Sequence, residues 1–131
     1  PTNLMKFNLE IDLKSRDNYW RGGKYAFTVE VPQQYPIQAP KIHCETDIYH
    51  PNIDTDGNVC INILRKDWRP VFNIYGVITA VCYIFDYPNP EDPLNEDAAA
   101  VQRNDLKKFI SNVQTTLRGG IMDGKRYPKM F

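Results

Sequence analysis

Two stretches near the start of the chain alternate strictly between apolar and polar side chains, and this pattern limits the fold more than any other feature. Met5, Phe7, Leu9, Ile11 and Leu13 alternate with Lys6, Asn8, Glu10 and Asp12. Tyr25, Phe27, Val29 and Val31 repeat the pattern. A period of two places one row of side chains on one face, so each stretch reads as a half-buried strand. The connection over residues 15–23 is polar and holds two glycines, which predicts an antiparallel pair. Residues 32–40 then contain three prolines. Each fixes its own φ and lacks an N–H, so this segment is not a central strand. Residues 41–46 read as a third strand.

The second half has a different rhythm. Residues 74–85 are almost continuously apolar. Their β-branched members suit a strand, but their length suits a buried helix, which is the reading adopted. Asn95 is placed to cap a short helix through Ala98 to Val101, and Asn104 to cap a second one. Leu106, Phe109, Ile110, Val113 and Leu117 recur at helical spacing as a core-facing stripe. Gly119 and Gly120 end it. Strands first and helices afterwards predict an α+β domain, with helices packed on an antiparallel sheet. At 131 residues the chain fits one such domain, over residues 1–131.

Composition excludes several function classes. The 16 basic and 16 acidic residues cancel, so the basic surplus of a nucleic-acid binder is absent. No apolar run reaches the roughly eighteen residues needed to span a bilayer, and no basic-then-apolar leader opens the chain. Neither nucleic acid nor membrane is an expected partner. The three cysteines, Cys44, Cys60 and Cys82, are odd in number and widely spaced, which fits a reducing compartment rather than a disulfide framework. The expected location is cytoplasmic and nuclear. The chain begins at Pro1 rather than Met, which leaves room for a removed upstream part.

Residues 47–70 look irregular, with Pro51, Gly57 and several Asn and Asp residues. Loops of this length are uncommon unless functional. Cys60 lies within it, just after Gly57 and Asn58, and His50-Pro51-Asn52 precedes it, with Asn52 eight residues upstream. A cysteine thiol is ordinarily a few per cent thiolate at neutral pH, and that fraction is already a strong nucleophile. It can form a thioester by exchange with another thioester. An asparagine amide nearby either donates to the oxyanion formed when an amine attacks, or braces the loop through backbone groups.

His50-Pro51-Asn52, Gly57-Asn58-Val59-Cys60, Leu64, and Trp68 to Pro70 together resemble the active-site signature of ubiquitin-conjugating enzymes. Tyr35-Pro36 with Pro40 resembles the family's upstream proline-rich loop, and residues 88–94 (Pro-Asn-Pro-Glu-Asp-Pro-Leu) its downstream loop. The resemblance runs from about Leu4 to Gly120. It implies a transferase that carries a modifier as a thioester on Cys60 and passes it to a substrate lysine. The modifier would come from an activating enzyme that uses ATP, and a RING-type ligase would dock the substrate. No cofactor or metal is implied. Asn52 matches the family's oxyanion or loop-bracing asparagine. Asp92 matches an acidic residue that orients and deprotonates the incoming lysine, a task suited to a carboxylate. Pro36 with Ile37, and Pro70 with Val71, match the loop tips that ligases and activating enzymes grip. Cys44-Glu45-Thr46, Asp67-Trp68 and Arg118-Gly119-Gly120 resemble the branch that conjugates NEDD8 (Rub), whose targets are cullin scaffolds. An enzyme for ubiquitin itself is the nearest alternative. Family members begin with a helix before the first strand, and the NEDD8 branch adds a further extension. Both are missing here, so the expectation is a domain without its first helix, either truncated or naturally short.

Plainer readings stand beside these. Cys44 and Cys82 occupy apolar positions and read as packing. His50 reads as a hydrogen-bonded brace, and Trp68 as a buried anchor whose N–H needs a partner. His43, Cys44, His50 and Cys60 lack the paired spacing of a zinc site. A modifier-binding module without chemistry would not need Cys60. A thiol hydrolase would need His50 as base with a third group orienting it.

Overall fold

The alternating stretches pair as their pattern requires. β1 (Met5–Asp12) and β2 (Lys24–Val31) run antiparallel, with Met5 opposite Val31 and Ile11 opposite Tyr25. β3 (Lys41–Cys44) adds to β2, giving a sheet in the order β1-β2-β3. One face carries Ile11, Tyr25 and Phe27 into the core. The other lines up Lys6, Glu30 and Lys41 across the strands, a favourable alternation of charge. The computed structural model describes residues 5–61, 68–69 and 73–131. β3 stops two residues short of the expected end. Ala26 N–H is satisfied there by the Thr46 hydroxyl instead of a strand carbonyl.

α1 (Ile74–Asp86) is a helix, as its length predicted. Asn73 caps it by accepting from Gly76 N–H. Val77, Ala80, Val81, Ile84 and Phe85 are buried. Phe85 stacks on Tyr25, with ring centroids 5.6 Å apart, and meets Phe27 edge-on. This contact joins helix to sheet, and truncating one such ring typically costs about 3–5 kcal/mol. Among the described residues, no helix is long and apolar enough to cross a membrane.

α2 (Glu96–Asn104) starts where Asn95 accepts from Ala98 N–H, as expected, and is longer than predicted. α3 (Leu106–Leu117) is capped by Asp105, not Asn104. Asn104 remains the last residue of α2, so the turn is made by Asp105 alone. Phe109, Val113 and Leu117 are buried, but Leu106 is 48% exposed. It is the first residue of α3, and it leaves the predicted stripe. Gly119, with φ of +85°, ends the helix. A small hairpin follows, β4 (Ile121–Met122) with β5 (Lys125–Arg126), turned by Asp123 and Gly124 at positive φ.

One core residue sits where periodicity gives no sign. Trp20, in the loop after β1, is fully buried, and its indole N–H donates to Tyr49 O at 3.0 Å.

Candidate active site

Residues 48–53 have almost no regular structure, yet they are buried. Their polar groups must therefore find specific partners. His50 Nδ1 lies 2.9 Å from Asn52 N, and its Nε2 lies 2.8 Å from Ile84 O. A backbone N–H can only donate and a carbonyl can only accept. The ring therefore carries its hydrogen on Nε2, donates to Ile84 and accepts from Asn52. It also stacks on Trp20, centroid to centroid 4.5 Å. Burial pushes its pKa down to about 3, against a smaller upward pull from the Ile84 carbonyl. His50 is a neutral brace with both nitrogens committed, so the base that a thiol hydrolase needs is not supplied by it.

Asn52 is 3% exposed and touches both sides of the candidate site. Its carbonyl accepts from Cys60 N–H at 2.9 Å. Its side-chain Oδ1 accepts from Asn89 N–H at 2.9 Å, and Nδ2 donates to Asn89 O at 2.8 Å. Pro51 O accepts from both Leu94 and Asn95 N–H. The His-Pro-Asn segment thus ties the cysteine to the loop of residues 88–95.

Gly57 and Asn58 shape the approach to Cys60. Asp54 accepts from Asp56 N–H and from Asn58 through its backbone and side chain, closing a tight turn. Gly57 sits at φ +92°, and a Cβ there would lie 2.2 Å from Cys44 O. Its carbonyl accepts from Cys44 N–H at 2.8 Å, pinning the turn to β3.

These ties create a cleft of about 600 Å³ whose lining includes Cys60, Asn52, Asn89, Asp92, Tyr75 and Tyr83. Cys60 is 7% exposed at its wall, and Asp92 is exposed. The three residues singled out for chemistry, Cys60, Asn52 and Asp92, therefore share one cleft. Of the loop tips, Pro36 and Ile37 are exposed, Ile37 by 74%. Trp68 donates its indole N–H to Pro36 O at 2.9 Å. It is half-buried rather than a buried anchor, because it lies against the surface loop at Tyr35 and Pro36. Pro70 and Val71 lie outside the described residues.

The other cysteines are packing. Cys44 is 3% exposed and its thiol donates to Thr46 O. Burial pushes its pKa up to about 12. Burial also raises Cys82. Sequence reasoning missed the row of Tyr75, Thr79 and Tyr83 on the cleft side of α1. Its signal was a hydroxyl-bearing side chain every four residues along an otherwise apolar helix.

An α+β scaffold that ties a His-Pro-Asn segment to a cysteine and to a proline-rich loop defines a class, and the comparisons agree with it. The family described as ubiquitin-conjugating enzyme matches residues 1–117. This chain belongs to the ubiquitin-conjugating enzyme family. It is 48% identical over 122 residues to the NEDD8-conjugating enzyme Ubc12 of Arabidopsis thaliana, which covers 93% of this chain and 66% of that protein. It is 44% identical over 129 residues to the NEDD8-conjugating enzyme Ubc12 of Dictyostelium discoideum, covering 98% and 55%. The solved structure of S. cerevisiae Ubc12 superposes with a TM-score of 0.89 at 37% identity, covering 96% of this chain and 65% of that one. The chain thus spans between about half and two thirds of the length of these relatives.

Proposed function

We propose that this chain accepts a ubiquitin-like modifier as a thioester on Cys60 and transfers it to a substrate lysine. The observation that carries the reading is the convergence of Cys60, Asn52 and Asp92 on one cleft. In the first step the Cys60 thiolate attacks the thioester on an activating enzyme, whose own thiolate leaves. In the second a lysine amine attacks the Cys60 thioester carbonyl. Asp92 accepts a hydrogen bond from that amine and takes its proton. The tetrahedral intermediate expels the Cys60 thiolate and leaves an amide. Asn52 commits its Oδ1 and one Nδ2 hydrogen to Asn89. Bracing is its first task, with one hydrogen left for the oxyanion.

The modifier in this reading is NEDD8, supported by the two NEDD8-conjugating relatives. Its partners are then an activating enzyme, a RING-type ligase gripping Pro36 and Ile37, and a cullin as substrate. The reducing cytoplasm and nucleus suit a thiol carrier.

The test is a charging assay with ATP, each modifier and its activating enzyme, run on non-reducing gels. A reductant-sensitive band with NEDD8, absent in Cys60→Ala, is expected. Preference for ubiquitin would refute the choice of modifier. No band with either modifier would refute the carrier reading.

A further inference from the structure

Residues 88–94 include Pro88, Pro90 and Pro93. Prolines have no N–H to offer, so the segment cannot join a helix or a strand ladder, and its carbonyls need donors from elsewhere. Three successive carbonyls each meet a different side chain. Gln102 Nε2 donates to Pro88 O at 3.0 Å, Asn52 Nδ2 to Asn89 O at 2.8 Å, and Arg103 to Pro90 O at 2.6 Å. The N–H groups between them are also held. Asn89 N–H donates to Asn52 Oδ1, and Glu91 N–H to Asn89 Oδ1. Asp92 follows directly.

Two of the three carbonyl donors are neighbours on α2. The second limb of Arg103 pairs with Glu96 at 2.6 Å, one helix length back. A planar guanidinium anchored by one limb presents the other in a fixed direction. Gln102 shows a sign of the same demand. Its Oε1 is buried with no hydrogen-bond partner among the described residues. Turning the amide over would satisfy nothing at Pro88, because it would set oxygen against oxygen. An orphaned buried acceptor calls for an explanation, and holding Pro88 supplies one.

We infer that Gln102 and Arg103 are positioning residues, which fix the backbone under Asp92 so that its carboxylate faces the cleft lined by Cys60. Asp92 is exposed, so the backbone beneath it sets where the carboxylate sits. The inference rests on the proposed roles of Cys60 and Asp92. A misplacement near 1 Å can cost up to about a hundredfold in rate. Loss of two anchors of three, with Asn52 still holding Asn89, should cost less.

The experiment is single-turnover discharge of the NEDD8 thioester to free lysine, with charging measured separately. Gln102→Ala with Arg103→Ala should slow discharge about tenfold at saturating lysine and leave charging unchanged. In an Asp92→Ala background the same pair should add less than about twofold, because both act through one carboxylate. Arg103→Lys, which keeps a donor for Pro90 O, should recover part of the rate. Amide exchange at Asn89 and Glu91 should quicken while that of β2 stays unchanged, which separates a loosened loop from a loosened fold. Full additional loss in the Asp92→Ala background, an equal loss in charging, or no loss would overturn the inference alone. If Asp92→Ala is itself silent, or no thioester forms, the reading beneath it falls too.

Discussion

Acid should weaken this protein at His50 first. The ring is fully buried, donates through Nε2 to Ile84 O and accepts through Nδ1 from Asn52 N–H. A proton can enter only at Nδ1, where it would break the Asn52 bond and leave a charge against Trp20. Burial accordingly holds the pKa near 3 in the folded chain, against about 6.5 when unfolded. The unfolded chain therefore binds this proton first. Stability from this group is complete above about pH 6.5 and falls as pH drops toward 3, by about 1.4 kcal/mol per unit. At pH 5 the loss is about 2 kcal/mol, a large part of the stability of a typical domain. His43 works the other way. Its hydrogen bond to Glu45 raises its pKa, so its contribution is present below about 6.5 and is lost as pH rises. It is 44% exposed and worth at most about 1 kcal/mol. Urea unfolding from pH 7.5 to 5 on the parent and on His50→Gln separates the two. Glutamine keeps a donor for Ile84 O but does not titrate, and His43 cancels in the comparison. The parent should lose about 2 kcal/mol more than the variant across this range. Parallel curves, or an imidazole resonance of His50 titrating near pH 6.5, would refute the reasoning.

Two further outcomes follow from the same geometry. Asn52→Ala removes both bonds to Asn89. It should cost about 1–3 kcal/mol in denaturant unfolding, and slow thioester discharge far more than charging; equal loss in both steps would leave Asn52 a purely structural role. Gly57→Ala combines a left-handed backbone with a Cβ 2.2 Å from Cys44 O. It should destabilise by at least about 2 kcal/mol, and an unchanged melting temperature would mean the turn is not held as described.

Much of this fold was readable because its periods are clean. Strict alternation over β1 and β2 requires a pairing that sets both apolar rows on one face, and the register does so, with Leu9 opposite Phe27 and Ile11 opposite Tyr25. The length of the apolar run outweighed its β-branched composition at α1. Where the sequence misled, two local solutions were close in energy or the burial had no period. Asn104 and Asp105 are both able to cap α3, and the choice depended on where α2 stopped. Trp20 is buried from within a loop, so nothing repeats to reveal it. The site divides in the same way. The family resemblance of the motif blocks pointed to Cys60, Asn52 and Asp92, but a gap in sequence says nothing about approach in space.

What brings them together is a short polar chain that begins in the core. Ile84, in the buried face of α1, receives His50, which receives Asn52, which pairs with Asn89. Every link is neutral, so the chain can run through the interior without a charge to desolvate. The chemistry of each position follows from its two neighbours. Position 50 must donate at one end and accept at the other, which a neutral imidazole does. Position 52 must do both toward a single residue, meeting its N–H and its C=O together as a neighbouring strand would. Only an amide side chain offers that pair; aspartate at the same place would set a carboxylate against Asn89 O. The loop bearing Asp92 is thus referenced to the helix under the cleft rather than to solvent, and the cysteine joins the same frame through Asn52 O.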